Sequence, residues 1–283
     1  MIPSAHPEHI ARIGMVDYIN VAPIYEVWKE KPLPAHWRVR AEHPRALNEL
    51  LLAEEIDMGF VSAFAYALHP ERYRIFAGLS ISATGPVGSV FLFSKAPPEA
   101  LDGAPVMLTK QSDTSIRLTQ IILEEWHKVR PVYSQGAVYG PDSEAGASAA
   151  ILAIGDDALR LKEEGRYPVC LDLGEEWQRH TGLPFVFSVW VVREAFIRDQ
   201  PEEARRIRET LIACRTEGAA RLEEISRRVA ARIPMEPESC RRYLRAIEHD
   251  LTPVKIEALE KYFAFLVARG EVPASALPVK IFE

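Results

Sequence analysis

Five short polar segments hold the residues of this chain that could do chemistry. They are Tyr18-Ile19-Asn20, the turn at Ser62, Gly85-Pro86-Val87-Gly88-Ser89, Ser112-Asp113-Thr114-Ser115 and Ile154-Gly155-Asp156. Each falls where an apolar, strand-like run ends. Carboxamides, hydroxyls and open backbone N–H groups at the carboxyl ends of strands suit a crevice that holds a small anion. The amide of Asn20 could donate to a carboxylate or orient a leaving hydroxyl, although a turn residue alone would also fit. Ser62 is placed to cap the helix that follows it. Capping accounts for one hydroxyl of Ser112, Thr114 and Ser115, and three such residues within four positions suggest a carboxylate cradle. Gly88 permits close approach of a ligand to Ser89, or simply a tight turn. Gly155 offers the same approach. Asp156 reads as a cap that suits a ligand hydroxyl better than an anion. Tyr18, Trp28, Trp177 and Trp190 divide between core and cleft wall, with core the default for each.

The absences narrow the field. The eight histidines are scattered, without HxH, HExxH or a His/Cys cluster, so no metal site is expected. No GxxxxGK[ST], GxGxxG or GxSxG occurs, and no histidine partners Ser89 by spacing, so neither a nucleotide cofactor nor a serine triad is expected. A net charge of −6 argues against a nucleic-acid surface. An anionic ligand would therefore be held by local dipoles rather than by bulk attraction. Cys170, Cys214 and Cys240 lack CxxC spacing and read as reduced thiols. Residues 1–12 carry no apolar stretch, and no run approaches the roughly 18 apolar residues of a membrane span, so a cytoplasmic protein is expected.

These segments need elements to position them. At 283 residues and 48% hydrophobic, the chain can bury a full core. Strands are expected at 13–16, 56–61, 74–79, 90–93, 105–108, 149–154, 169–173 and 185–192. Helices are expected after Pro23, after Pro44 with Leu47, Leu50 and Leu51 on one face, over 63–68, after Ser112 and over 157–163. This alternation predicts an α/β fold with a mainly parallel sheet. Beyond residue 192 the chain turns helical, over 201–232, 238–248 and 254–269. The first tail helix carries a core stripe of Ile207, Leu211, Cys214, Leu222, Ile225 and Val229 under an Arg/Glu-rich solvated face. The strands 90–93 and 185–192 bracket a central α/β block. Two crossings would then make two lobes, one from residues 1–93 and 186–283 and the other from 94–185, with a ligand in the cleft between them.

At the same segments the chain resembles the chorismate dehydratase family of the futalosine route to menaquinone. The matching stretches are Tyr18-Ile19-Asn20 with Pro23, Leu47-Asn48-Glu49-Leu50-Leu51, Leu79-Ser80-Ile81-Ser82, Gly85-Pro86-Val87-Gly88-Ser89-Val90, Ile154-Gly155-Asp156-Asp157-Ala158-Leu159, Asp172-Leu173-Gly174-Glu175-Glu176-Trp177, and the most specific, Thr181-Gly182-Leu183-Pro184-Phe185-Val186-Phe187-Ser188-Val189-Trp190. They run in order to about Arg193; the helical tail is less distinctive. Asp17 stands where the family more often has Ser, and Ala83-Thr84 where Ser-Asp is common. The resemblance implies a two-lobed, type II periplasmic-binding-protein-like fold. It implies loss of water from chorismate, a dicarboxylate, to give 3-[(1-carboxyvinyl)oxy]benzoate without a cofactor. The family's important asparagine and serine fall on Asn20 and Ser89. Two other readings stay open at this point: a non-catalytic receptor for a small carboxylate, and the sister naphthoate-forming enzyme of the same pathway. Oligomeric state is not legible.

Overall fold

The computed structural model describes residues 10–283 except Asp142 and Pro234. Residues 1–9, most of the segment read as lacking a secretory leader, lie outside the described residues. The chain opens with β1 (Ala11–Val16), α1 (Ala22–Glu30), β2 (Trp37–Glu42), α2 (Pro44–Leu52), β3 (Met58–Ser62), α3 (Ala63–Leu68) and β4 (Tyr73–Ala83). Next come β5 (Val90–Ser94), β6 (Pro105–Thr109), α4 (Asp113–Ile121), β7 (Val132–Gly136), β8 (Ala150–Ile154), α5 (Gly155–Glu164), β9 (Val169–Asp172) and α6 (Leu173–Thr181). The chain then returns through β10 (Phe185–Arg193). It ends in α7 (Glu194–Asp199), α8 (Pro201–Ala220), α9 (Leu222–Val229), α10 (Pro237–Ala246), α11 (Pro253–Ala268) and β11 (Ile281–Phe282).

Two sheets result. One has six strands in the order β11-β4-β10-β3-β1-β2, the other five in the order β7-β6-β8-β5-β9. Each sheet is parallel apart from one strand. β10 runs antiparallel to β3 and β4, and β5 antiparallel to β8 and β9. These are the two strands that receive the chain after it crosses between sheets, through residues 84–89 outward and 181–184 back. The crossings lie side by side, because Phe185 at the start of β10 pairs with Ala83 at the end of β4. β5 bonds only within the five-stranded sheet, so an exchange point inside or after it does not fit its pairing. We propose the lobe boundaries at 84–89 and 181–184, earlier in each case than 93/94 and 185/186.

The core explains the strand sequences. Along β5, Leu92 faces the apolar cluster shared with the first sheet, whereas Phe91 and Phe93 face a second cluster containing Ala158 and Leu161 of α5. A strand covered on both faces reads as a continuous apolar run, and β5 does. The larger cluster joins Ile13, Phe60 and Ile75 of one sheet to Leu92, Leu108 and Leu152 of the other. Trp28, Trp177 and Trp190 are each buried in it. The expected tail stripe is also core, with Ile207, Leu211, Cys214, Ile225 and Val229 buried. The single helix expected over 201–232 is broken at Arg221. Among the described residues, no helix is long and apolar enough to cross a membrane.

Candidate active site

Every polar segment marked from sequence sits at the carboxyl end of a strand. Tyr18 and Asn20 follow β1, Ser62 ends β3, the glycine-flanked Ser89 follows β4, Ser112 follows β6, and Gly155 and Asp156 follow β8. The two sheets meet at these ends. The Tyr18 hydroxyl donates to Gln111 Oε1 at 3.3 Å, and Gln111 Nε2 donates to Asp157 Oδ2 at 3.2 Å. On the same side, a Cβ at Gly155 would lie 3.6 Å from the Tyr18 ring. Gly155 holds φ +55 and donates its N–H to the Ser89 carbonyl at 2.7 Å. Tyr18, Ser89, Gln111 and Gly155 are therefore one connected group. Burial, then the charges of Asp156 and Asp157, push the Tyr18 phenol up to about 12, so it stays a neutral donor.

The segment carrying Ser89 is held from behind. Asp172 Oδ1 accepts from Val87 N at 3.0 Å and Gly174 N at 2.9 Å, and its Oδ2 accepts from Gly88 N at 2.7 Å. The same carboxylate caps α6, and Gly174 is a glycine because a Cβ there would come within 2.6 Å of the Gly85 carbonyl. Gly88 itself holds φ +74, a left-handed conformation that favours glycine. Ser89, 3% exposed, accepts a hydrogen bond from the Tyr243 hydroxyl at 2.9 Å. Its own O–H has no acceptor among the described residues.

Several hydroxyls expected to cradle an anion already serve the fold. Ser62 Oγ caps α3 by accepting from Ala65 N at 3.1 Å, and it also takes the Asn48 amide at 3.3 Å. Ser112 Oγ caps α4 by accepting from Ser115 N and donates to Ser115 Oγ at 3.0 Å. Thr114 Oγ1 accepts from Phe64 N at 3.0 Å, which ties α4 to α3 across the sheets. The hydroxyl protons of Ser62, Thr114 and Ser115 remain available as donors. Asn20 and Asp156 differ from these: each has a buried Oδ1 with no hydrogen-bond partner among the described residues. Burial raises the Asp156 carboxyl above its ordinary pKa, against the pull of Arg160 and Arg232. These strand ends thus hold two unpartnered acceptors and several free hydroxyl protons, which can meet ligand groups of either kind.

Residues 11–268 match the family described as menaquinone biosynthesis. The chain belongs to that family. It is 31% identical to a chorismate dehydratase of Thermus thermophilus over 247 residues, covering 82% of this chain and 86% of the relative. Among solved structures it resembles protein AF1704 of Archaeoglobus fulgidus, with a TM-score of 0.71 and 20% identity over 94% of this chain and all of that one. It also resembles the periplasmic aliphatic sulphonate binding protein SsuA of Escherichia coli, with a TM-score of 0.65 and 13% identity over 94% of each chain. The likeness to SsuA shows a two-lobed, periplasmic-binding-protein-like fold.

In this member of the menaquinone-biosynthesis family, four site residues carried no sequence mark of their role. Gln111 bridges Tyr18 to Asp157, and Asp172 secures the Ser89 turn. Tyr243 reaches Ser89 from α10, and His249 Nε2–H donates to the Asn20 carbonyl at 2.6 Å. Asp172 stood in a family stretch, yet nothing local connects it to Gly88. Tyr243 and His249 lie in the helical tail, 154 and 229 positions from their partners, so no motif spacing could join them.

Proposed function

We propose that the protein is a hydro-lyase that removes water from chorismate to give 3-[(1-carboxyvinyl)oxy]benzoate in menaquinone biosynthesis. The observation that carries this reading is family membership together with a chorismate dehydratase relative aligned along most of both chains. The site chemistry agrees. Chorismate presents two carboxylates and one hydroxyl, and the cleft offers hydroxyl and amide donors beside two free acceptors. A non-catalytic receptor and the naphthoate-forming sister enzyme find no comparable support in the relatives.

The reaction takes the proton from ring C3 and expels the hydroxyl from C4. The C3 proton is vinylogous to the ring carboxylate, so the electron pair left behind spreads into that group before it forms the C3–C4 double bond and releases hydroxide. Donors fixed at that carboxylate lower the barrier, as oxyanion holes do. The α4 N-terminus is assigned this task, with the free hydroxyl protons of Thr114 and Ser115 as donors and Ser112 holding Ser115 in place. Ser62, Gly88, Gly155 and Tyr18 line the remaining contacts, and Asp156 hydrogen-bonds the C4 hydroxyl, which departs as hydroxide and becomes water with the proton taken from C3. The proton acceptor is the substrate's own enolpyruvyl carboxylate, or a water held near it. Asn20 and Ser89 hold that side chain in a reactive pose, an orientation effect worth several kcal/mol. Aromatisation supplies the thermodynamic drive.

The test is direct: purified protein with chorismate, followed by ultraviolet absorbance and mass. Loss of one water to an aromatic product supports the reading. Chorismate bound and recovered unchanged would replace it with the receptor.

A further inference from the structure

We propose that residues 243–250 form a strap that sets both residues assigned to catalysis, with Tyr243 fixing the Ser89 hydroxyl and His249 fixing the backbone of Asn20. Both are positioning residues, and the inference rests on the site reading given above.

The strap is anchored independently of the groups it holds. Glu248 and Ser82 exchange a pair of backbone hydrogen bonds, each 2.9 Å, and Ser80 N donates to the His249 carbonyl at 3.1 Å. Ser80 Oγ donates to the Asp250 carbonyl. Lys255, 4% exposed, pairs with the carboxylates of Glu248 and Asp250. The strap thus runs antiparallel beside the end of β4, at the point where the chain leaves for the other sheet. Of its two reaching side chains, Tyr243 lies before that anchor and His249 lies within it.

Both reach in the same way. A phenol is a stronger donor than an alcohol, so Tyr243 donates and Ser89 accepts. Burial pushes the phenol well above its ordinary range, which keeps that proton in place. Ser89 is left with its own proton to give to a ligand. The Asn20 carbonyl can only accept, so His249 Nε2 must carry a proton, and burial favours the neutral ring. Here too the strap takes an acceptor and spares the donor, since the Asn20 carboxamide N–H2 has no partner among the described residues. Gly88 packs beside the strap: a Cβ there would lie 3.7 Å from the Tyr243 ring. One rigid piece therefore fixes the spacing of two groups that lie 69 positions apart in the chain, at 20 and 89.

The experiment compares steady-state conversion of chorismate by the full-length protein and five variants: Tyr243→Phe, Ser89→Ala, the double variant, His249→Ala and His249→Gln. Tyr243→Phe keeps the buried ring, and melting curves check that each variant is folded. The strap predicts that Tyr243→Phe lowers kcat about tenfold with KM within about twofold, an orientation loss rather than a binding loss. It predicts that the double variant is no slower than Ser89→Ala, because Tyr243 acts only through Ser89. His249→Gln, which retains an N–H donor, should recover most of what His249→Ala loses. Tyr243→Phe at wild-type kcat, a double variant slowed by the product of the single effects, or His249→Gln as slow as His249→Ala would overturn the strap. A wild-type protein that leaves chorismate unchanged would overturn the dehydratase reading, and the strap with it.

Discussion

Asn20 and Asp156 share one condition: a buried oxygen left without a hydrogen bond. Such atoms cost the fold about 1–3 kcal/mol each, which is tolerable where a ligand completes them. Asn20→Ala should lower kcat at least a hundredfold while changing KM far less, because the amide orients rather than anchors; equal losses in binding and turnover would contradict that role. Asp156 adds a pH signature. Its carboxyl pKa is raised on folding, so the folded state binds the proton more tightly than the unfolded chain does. The stability this gives is present at low pH and is lost as pH climbs through the raised value. Asp156→Asn should consequently raise the melting temperature at neutral pH, leave it nearly unchanged in acid, and slow the conversion of chorismate. Melting curves of both proteins across pH 3 to about 8 would show it, and a variant no more stable than the wild type at neutral pH would refute the assignment.

Among the elements, the turn at residues 84–89 depends most on a single side chain. Asp172 satisfies Val87, Gly88, Gly174 and Glu175 N–H groups at 3.0, 2.7, 2.9 and 3.2 Å. Asp172→Ala would orphan all of them and should cost about 3 kcal/mol or more of stability, read by urea denaturation, with loss of activity because Ser89 loses its seat. A smaller cost would mean that water replaces the carboxylate. The apolar strands β3, β5, β8 and β10 announced themselves because both faces are buried, and Ser62 and Ser112 cap the helices expected of them. β2 and β7 did not, since each is a sheet edge: in β2 only Trp37 is buried, and in β7 only Gly136. An edge strand needs no apolar alternation. α6 was missed because its signal is the Asp172 cap and Gly182 at its end rather than a long stripe. The tail helices were found, yet their purpose was hidden: Tyr243 reads as one more core aromatic until its partner across the fold is known.

At the scale of the whole molecule, the two sheets are held together by charge as well as by the shared core. Arg269, after α11, pairs with Glu124 at 2.9 Å and Glu125 at 3.2 Å of the other lobe, and with Glu271 at 2.6 Å beside it. Partly exposed pairs are individually worth at most about 1 kcal/mol and weaken with salt, so they bias closure rather than enforce it. Arg269→Ala should raise KM a few-fold and enlarge the radius of gyration in solution scattering, with the wild type approaching the variant at high salt; identical scattering would sink the idea. The strap at residues 243–250 carries a different consequence, one of timing. A ribosome delivers the chain from its amino end, so the strands β1 to β10, with Asn20 and Ser89 among them, exist before Tyr243 and His249 have been made. The nascent protein can pair its sheets while the reactive groups still lack their supports. On the proposed assignment of Asn20 and Ser89, catalytic competence arrives with the tail, as a late step of biogenesis that separates having the fold from having the activity.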